Sequence, residues 1–338
     1  MAEVSVVILN WNGLELMKRF LPSVITHTPS AIAEVVVADN GSDDGSVEWL
    51  GNTFPEVRVV RHTRNYGFAG GYNRSLSKIN SKYYFLLNSD VEVKEDYVTP
   101  LYRMLESDGS IAAVMPKILS QREPGMFEYA GAAGGFVDTL RFPFCRGRVL
   151  GKVEKDNGQY DCTAEIFWAS GAAFMVRSEL FKKYGGFDED FFAHFEEIDL
   201  CWRLKNHGDR IIAEPAARVF HLGGGTLDNS SPRKLFLNFR NSLYMIYKNT
   251  TPGRLWGKIA ARLFMDGGIA VVYLISLKPK KFAAVIKAHF AFYKMLPFLR
   301  RKRRRALPKI RIKGRLSGVY GGIMFFGAQS FVNRFKIK

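Results

Sequence analysis

VSVVILNWNG (residues 4–13) opens the chain with an apolar, β-branched run that stops on polar residues and a glycine. VVVADNGSDDGS (residues 35–46) repeats the design about one helix-length later. Short apolar runs bounded by turn residues are how strands buried on both faces of a parallel sheet read, and the stretch between them must then be a crossover helix. The same rhythm predicts strands at 4–10, 34–39, 57–62, 83–88 and 111–115, with helices at 13–26, 45–53, 68–79 and 95–107. This is a doubly wound α/β unit. Residues 120–165 lose the rhythm among scattered glycines and aromatics, so loops and short antiparallel strands are expected there. From 166 the pattern resumes: a strand through Phe174–Val176, helices at 178–184 and about 196–206, a strand near 211–220 and a helix at 232–248.

Of 338 residues, 47% are hydrophobic and 24% charged, a balance that sets aside disorder and collagen-like repeats. The net charge of +17 is unevenly placed. Residues 254–338 carry 21 Lys/Arg against the single acid Asp266, leaving residues 1–253 with 28 bases against 31 acids. A near-neutral body, 1–250, is therefore joined to a basic C-terminal region, 251–338. Cys145, Cys162 and Cys201 show neither CxxC nor Cys/His spacing, which argues against a disulfide framework and a structural zinc. No basic, apolar leader precedes the first strand, so a cytoplasmic location is expected.

In an open parallel sheet, ligands bind beyond the carboxyl ends of the strands. Here those ends are polar: Asn10 and Asn12 after the first strand, Asp39 after the second, the Gly-rich segment Arg64–Asn73 after the third, and Asn88-Ser89-Asp90 after the fourth. Each alone reads as turn and cap chemistry. Together they favour a nucleotide: Asp39 for a base or ribose, Gly70 and Gly71 for close backbone approach, Asp90 for a divalent cation against a diphosphate. A dinucleotide fold would place GxGxxG after the first strand, where only Gly13 stands. Further on, Glu196, Glu197 and Asp199 crowd the first turn of a helix. This exceeds what the helix dipole calls for and suits a general base acting on a hydroxyl. His221, ending a strand, is either a loop histidine or a metal ligand.

Together with RNYGFAGGYN (64–73), LLNSD (86–90), GAAFMVR (171–177), GGFDEDFFAHFEEIDLCWRLKNHG (185–208) and PAARVFHLGGG (215–225), these motifs in this order resemble the family 2 inverting glycosyltransferases. The similarity is greatest to rhamnosyltransferase-like members that build bacterial surface polysaccharides, and it covers about residues 4–250. It implies a nucleotide-diphosphosugar transferase fold of the GT-A type, with a mostly parallel central sheet and flanking helices. It also implies a nucleotide-sugar donor and a divalent cation, Mg²⁺ or Mn²⁺. By resemblance Asp39 reads the nucleobase, Asn65, Gly70, Gly71 and Asn73 fall in the donor pocket, Asp90 and His221 join the cation site, and Glu197 takes the place of the base. Two departures stand out. Asn88-Ser89-Asp90 lacks one carboxylate of the family's DxD, and Glu197 replaces the usual Asp, so Glu196 and Asp199 stay open as the base.

The tail reads as two amphipathic helices, 254–266 and 280–296, followed by six consecutive bases, Arg300–Arg305. On the first, Arg254, Lys258, Arg262 and Asp266 recur every four residues opposite Leu255, Ile259 and Leu263. The aromatic surface of Trp256, Phe264, Tyr273, Phe282, Phe290, Phe292 and Tyr293 exceeds what a phosphate-binding arm needs and points away from nucleic acid towards an anionic membrane surface, where each Lys/Arg adds about 1 kcal/mol. The tail and the resemblance together suggest a polyprenyl-linked glycan acceptor and a peripheral enzyme on the inner face of the cell membrane. The weakly polar stretch 316–333 is at the lower limit for a span, with four glycines against it. A chain ending near Thr251 is expected to fold and keep the site. The rival readings are a catalytically silent nucleotide-sugar or lipid-surface binding module, and a basic-tailed nucleic-acid binder.

Overall fold

A computed structural model describes residues 2–129, 131–149, 152–223, 231–306 and 315–316. The N-terminal half alternates β1 (Val4–Asn10), α1 (Leu14–His27), β2 (Ala33–Asp39), α2 (Ser46–Thr53), β3 (Arg58–Arg61), α3 (Gly67–Leu76), β4 (Tyr83–Asn88), β5 (Val91–Glu92), α4 (Thr99–Ser107) and β6 (Ile111–Ser120). Short strands β7 (Gly135–Asp138), β8 (Pro143–Cys145), β9 (Arg148–Val149), β10 (Lys152–Val153) and β11 (Ala164–Glu165) follow. Then come β12 (Ala173–Arg177), α5 (Ser178–Lys183), α6 (Glu196–Asn206), β13 (Arg210–His221), α7 (Pro232–Asn249), α8 (Leu255–Ile275), α9 (Pro279–Ala306) and β14 (Arg315–Leu316).

The main sheet runs β11-β13-β6-β12-β4-β1-β2-β3, with β5 beside β13. Strands β3, β2, β1 and β4 are parallel, and so are β6 and β13; β12 lies antiparallel between β4 and β6. The carboxyl ends of β1, β2, β4 and β13 therefore share one edge, which brings Asn10, Asp39, Asn88 and His221 to the same side of the molecule. Helices cover both faces, and Val6, Val36, Phe85, Val114 and Phe174 form the enclosed core. β7 to β10 and β14 make the small second sheet, as the broken rhythm of 120–165 predicts.

Two boundaries move for local reasons. The helix expected from 95 starts at Thr99, because Asp96 Oδ1 accepts from the N–H groups of Val98 (3.0 Å) and Thr99 (2.9 Å) and fixes the preceding turn. β6 continues to Ser120 because β13 pairs along it, through a register shift between Glu214 and Arg218.

The tail corrects the reading of its polar stripe. In α8 only the C-terminal half of the charged row turns inward: Arg262 (5% exposed) donates to Asp266 (0%) at 2.7 Å and lies 3.9 Å over the Phe142 ring, with His289 of α9 3.5 Å from Asp266, whereas Arg254 is exposed and Leu255 and Ile259 are buried. The apolar residues Trp256, Phe264 (84%), Val271, Val272, Ile275 and Leu277 (88%) face outward.

α9 packs along α7, burying Phe292 beside Tyr244 and Tyr247. Within the basic run, Lys302 pairs with Asp188 and with Asp190 (2.6 Å), and Arg303 donates to the carbonyls of Tyr247 and Thr250. The expectation that the body ends cleanly near Thr251 meets these contacts, which cross that point. The stretch 317–333 and the bases from Lys309 to Lys313 lie outside the described residues.

Candidate active site

β1 and β2 end in a polar lattice that the turn chemistry builds. Asn10 Nδ2 donates to Ser46 Oγ (2.9 Å) and Ser42 Oγ (3.2 Å) and approaches buried Asp39 Oδ1 at 3.4 Å. Asn12 bridges to Asp43 in both directions, at 2.7 and 2.9 Å. Asn40, Asn65 and Gly67 are knitted together: Asn40 Nδ2 donates to Asn65 Oδ1 and Gly67 O at 3.0 Å, while Asn65 Oδ1 accepts from Gly67 N at 2.7 Å. Asn65 thus shapes the loop that opens α3. Asn73 does related work further along, exchanging two hydrogen bonds with the Phe187 backbone (2.8 and 2.9 Å). Gly71 lets α3 sit on the strand ends, since a Cβ there would lie 2.8 Å from Leu9 and 2.9 Å from Asn40. A Cβ on Gly70 would approach Arg74 and Glu189, which pair at 2.8 Å. Gly67 has φ +73°, and a Cβ would lie 2.7 Å from Phe192, so this close approach of the 187–195 segment to α3 requires glycine.

β4 and β13 contribute the second cluster. His221 Nε2 is 3.0 Å from Asp90 Oδ1 and 3.5 Å from Asn88 Nδ2, and its Nδ1 is 3.4 Å from Glu128. Ser89 Oγ lies beside Gly13, 4.0 Å from where its Cβ would be. Burial alone would push the imidazole down, but hydrogen bonds to Asp90 and Glu128 outweigh it and raise the His221 pKa to about 10. A divalent cation would find two ligands in the Asp90–His221 pair, spaced as neighbouring ligands at octahedral bond lengths are, but among the described residues no group of three His, Cys, Asp or Glu side chains is placed to hold a metal ion. It would have to displace the imidazolium proton. Glu128 carried no signal in the sequence: it is one acid in an aperiodic stretch, 93 positions before the histidine it faces.

α6 presents the three acids of its first turn, and the structure separates them. Asp199 is fully enclosed and accepts from Arg203 (2.9 Å), Lys248 (2.8 Å) and Asn249 (2.8 Å). Burial would raise its pKa, yet Lys248 and Arg203 overcome this and hold it below the usual carboxylate range. Such a group ties α6 to α7 and is a poor proton acceptor. Glu196 is buried and raised well above a normal glutamate, first by burial and then by the charge of Glu197. Glu197 is partly exposed, beside Gly171 and across it from Phe68. Its Oε2 is enclosed and accepts no hydrogen bond among the described residues. Burial pushes its pKa up to about 7, against backbone hydrogen bonds that pull it down. Of the three, Glu197 has the reach and the proton affinity of a base near neutral pH.

The loop that sets this turn in place is strained: Phe192, His194 and Phe195 have φ of 64°, 70° and 74°. Such conformations persist only where neighbours over-determine them. Here α7 does so, with Asn241 Nδ2 bonded to the carbonyls of Phe191 (3.0 Å), Ala193 (2.8 Å) and His194 (2.7 Å), and Arg240 donating to Asp190 and Phe191 at 3.0 Å. We expect Asn241→Ala to cost about 2–4 kcal/mol, several hydrogen bonds at 0.5–1.5 each, in urea unfolding. A loss within about 0.5 kcal/mol would show that the loop holds itself.

The family model described as Glycosyl transferase family 2 matches residues 5–185, a range that includes Asp39 and Asp90 and stops before Glu197 and His221. A low-salt glycan biosynthesis hexosyltransferase of Haloferax volcanii is 24% identical, covering 71% of this chain and 74% of its own. An N-acetylglucosaminyl-diphospho-decaprenol L-rhamnosyltransferase of Mycobacterium tuberculosis is 25% identical, covering 75% and 86%. Among solved structures, a mannosyltransferase from Pyrobaculum calidifontis in complex with GDP-Man and Mn²⁺ superposes with a TM-score of 0.53 at 17% identity, covering 86% of this chain and 87% of that one. The fold is that of the GT-A transferases.

Proposed function

Because this chain belongs to glycosyl transferase family 2 and acts on nucleotide sugars, we propose that it is an inverting transferase whose base is Glu197. The observation that carries this reading is the Glu197 carboxylate, poised near pKa 7 with one oxygen unengaged, in the fold whose strand ends also hold Asp39, Asp90 and His221. Asp39 and the α3 loop hold the nucleotide. A divalent cation at Asp90 and His221 would supply positive charge against the departing diphosphate. Glu197 takes the proton of the acceptor hydroxyl as its oxygen bonds to the anomeric carbon from the face opposite the diphosphate. The enclosing Glu196, kept neutral by burial, avoids a second negative charge beside the base.

The donor we favour is dTDP-rhamnose, and the acceptor a hydroxyl of a polyprenyl-diphosphate-linked glycan in bacterial surface polysaccharide synthesis; the mycobacterial relative's name supports the rhamnosyl group and the diphospho-prenol carrier, while the dTDP nucleotide rests on the sequence resemblance. The assay is release of nucleoside diphosphate from UDP-, GDP- and dTDP-sugars with such an acceptor, with the product's anomeric configuration read by NMR. Inversion at the anomeric carbon supports the reading and retention overturns it. Donor binding with no turnover on any acceptor would favour the silent binding module.

We place the protein on the cytoplasmic face of the membrane, an inference from the outward apolar row of α8 and the exposed bases Lys278, Lys280, Arg300 and Arg301. Binding to anionic liposomes should fall as salt rises but persist in part, because screening weakens exposed charge and leaves apolar contact. Phe264→Glu with Ile275→Glu should remove the residual part. Liposome binding that vanishes at high salt in the parent, or survives in the double variant, would contradict the role given to α8.

A further inference from the structure

Near the end of α7 one buried ammonium joins two acids that are distant from it in sequence. Lys248 Nζ donates to Asp188 Oδ2 at 2.6 Å and to Asp199 Oδ2 at 2.8 Å, and it lies 5.1 Å over the Phe191 ring. The side chains of all three charged residues are buried. The two acids bound a segment, 188–199, that contains the left-handed residues Phe192, His194 and Phe195 and then Glu197. Lys248 therefore draws both ends of this segment to a single point.

Each acid has a further partner. Asp188 is paired with Lys302, and Asp199 accepts from Arg203 at 2.9 Å and from Asn249 at 2.8 Å. Neither carboxylate depends on Lys248 alone for a countercharge; what Lys248 alone supplies is the link between them. A buried ion pair adds little net stability over apolar side chains of the same volume, because desolvation offsets the attraction. What it does supply is geometry, since two buried carboxylates sharing one ammonium tolerate few arrangements and repel each other without it.

That geometry reaches the reacting groups on both sides. Asp199 stands two residues beyond Glu197 in the first turn of α6. In the middle of the segment the Phe192 carbonyl accepts from the N–H groups of Phe68 (2.9 Å) and Ala69 (3.4 Å), in the first turn of α3 behind the donor loop. A displacement of about 1 Å between reacting groups can cost about 10²-fold in rate. Resting on the transferase reading above, we infer that Lys248 is a positioning residue, which holds Glu197 in place against the donor loop by clamping both ends of the segment that carries it.

The test compares the full-length parent with Lys248→Met, which keeps an unbranched side chain and loses the charge, and with Lys302→Gln, which takes a cation from the same Asp188 but leaves the clamp closed. Turnover, donor affinity and hydrogen exchange of the amides of residues 192–198 are measured in each. Lys248→Met should lose tenfold or more in kcat while donor affinity stays within threefold, because the Asn40, Asn65 and Gly67 bonds that shape the donor loop are untouched. Exchange across 192–198 should quicken tenfold or more, as local opening becomes easier. Lys302→Gln should be less stable than the parent yet keep kcat and exchange within twofold. Asp188→Ala opens one end of the clamp and leaves each lysine a carboxylate, Lys248 with Asp199 and Lys302 with Asp190. It should show the same split, and it decides the matter if Lys248→Met does not fold. Parental turnover and exchange in the clamp variant, or equal losses in Lys302→Gln, would overturn the proposal. A parent that turns over no nucleotide sugar would instead strike the transferase reading, and hydrogen exchange would still decide the clamp.

Discussion

Glu197→Gln should reduce turnover by roughly 10² or more, the scale of general base catalysis, while donor affinity stays within a few-fold of the parent. The amide keeps the shape of the side chain and loses only its proton affinity. The parent's rate should rise with pH to a plateau above about 7, since the carboxylate must be deprotonated to act and burial raises its pKa to about 7. The same shift has an opposite signature in stability. A carboxyl whose folded pKa lies above its unfolded value makes the native state bind more protons, so stability falls as pH climbs from about 4.5 to 7. Removing the charge should therefore make Glu197→Gln more stable than the parent at pH 8, by about 1–3 kcal/mol, and no more stable below pH 4. Normal turnover in this variant, with Glu196→Gln inactive, would move the base by one residue.

A chain ending at Thr251 should fail to hold the native fold. It loses α9, and with it Phe292 and Leu299, each fully buried and worth about 1.5–3 kcal/mol. It also takes Lys302 from Asp188 and Asp190, and Arg303 from the last carbonyls of α7. Asp188 is held below the usual carboxylate range by Lys248 and Lys302 against the burial that would raise it. Asp188 keeps Lys248 and Lys302 is more than a third exposed, so that pair adds only about 1 kcal/mol, and the larger loss is the apolar packing of α8 and α9. Together these losses rival the whole stability of a typical domain, about 5–15 kcal/mol. Near-UV circular dichroism and urea unfolding should show lost packing, whereas Lys302→Gln in the full chain should only lower the urea midpoint. A cooperatively folded truncated chain that binds donor would show that the helices are an independent attachment.

The parallel strands were legible because burial on both faces leaves an unbroken apolar run, and α6 because its acids, caps and apolar spacing agree. Asp39, Asp90 and His221 were legible as polar residues ending such strands. Asp199 was not separable from Glu197 in sequence, since what distinguishes them is Lys248 and Asn249, about fifty residues away. The direction of α8 was hidden for a related reason. Periodicity reveals a polar stripe but not what it faces, and here Phe142 and His289 draw Arg262 and Asp266 inward. Asn65 and Asn73, read as donor-pocket residues, have their amides committed to loop and backbone bonds that a motif alone does not reveal.

A cation-dependent nucleotide-sugar site at the strand ends requires that thermal unfolding of the full chain respond to a UDP-, GDP- or dTDP-sugar, and that the response differ between Mn²⁺ or Mg²⁺ and a chelator. Ligand at a hundred times its Kd adds about 2.7 kcal/mol to apparent stability. At least one nucleotide sugar, dTDP-rhamnose foremost, should therefore raise the midpoint by several degrees with cation present, and Asp90→Ala should abolish the rise. No shift with any of them, or a full shift in Asp90→Ala with chelator present, would contradict it.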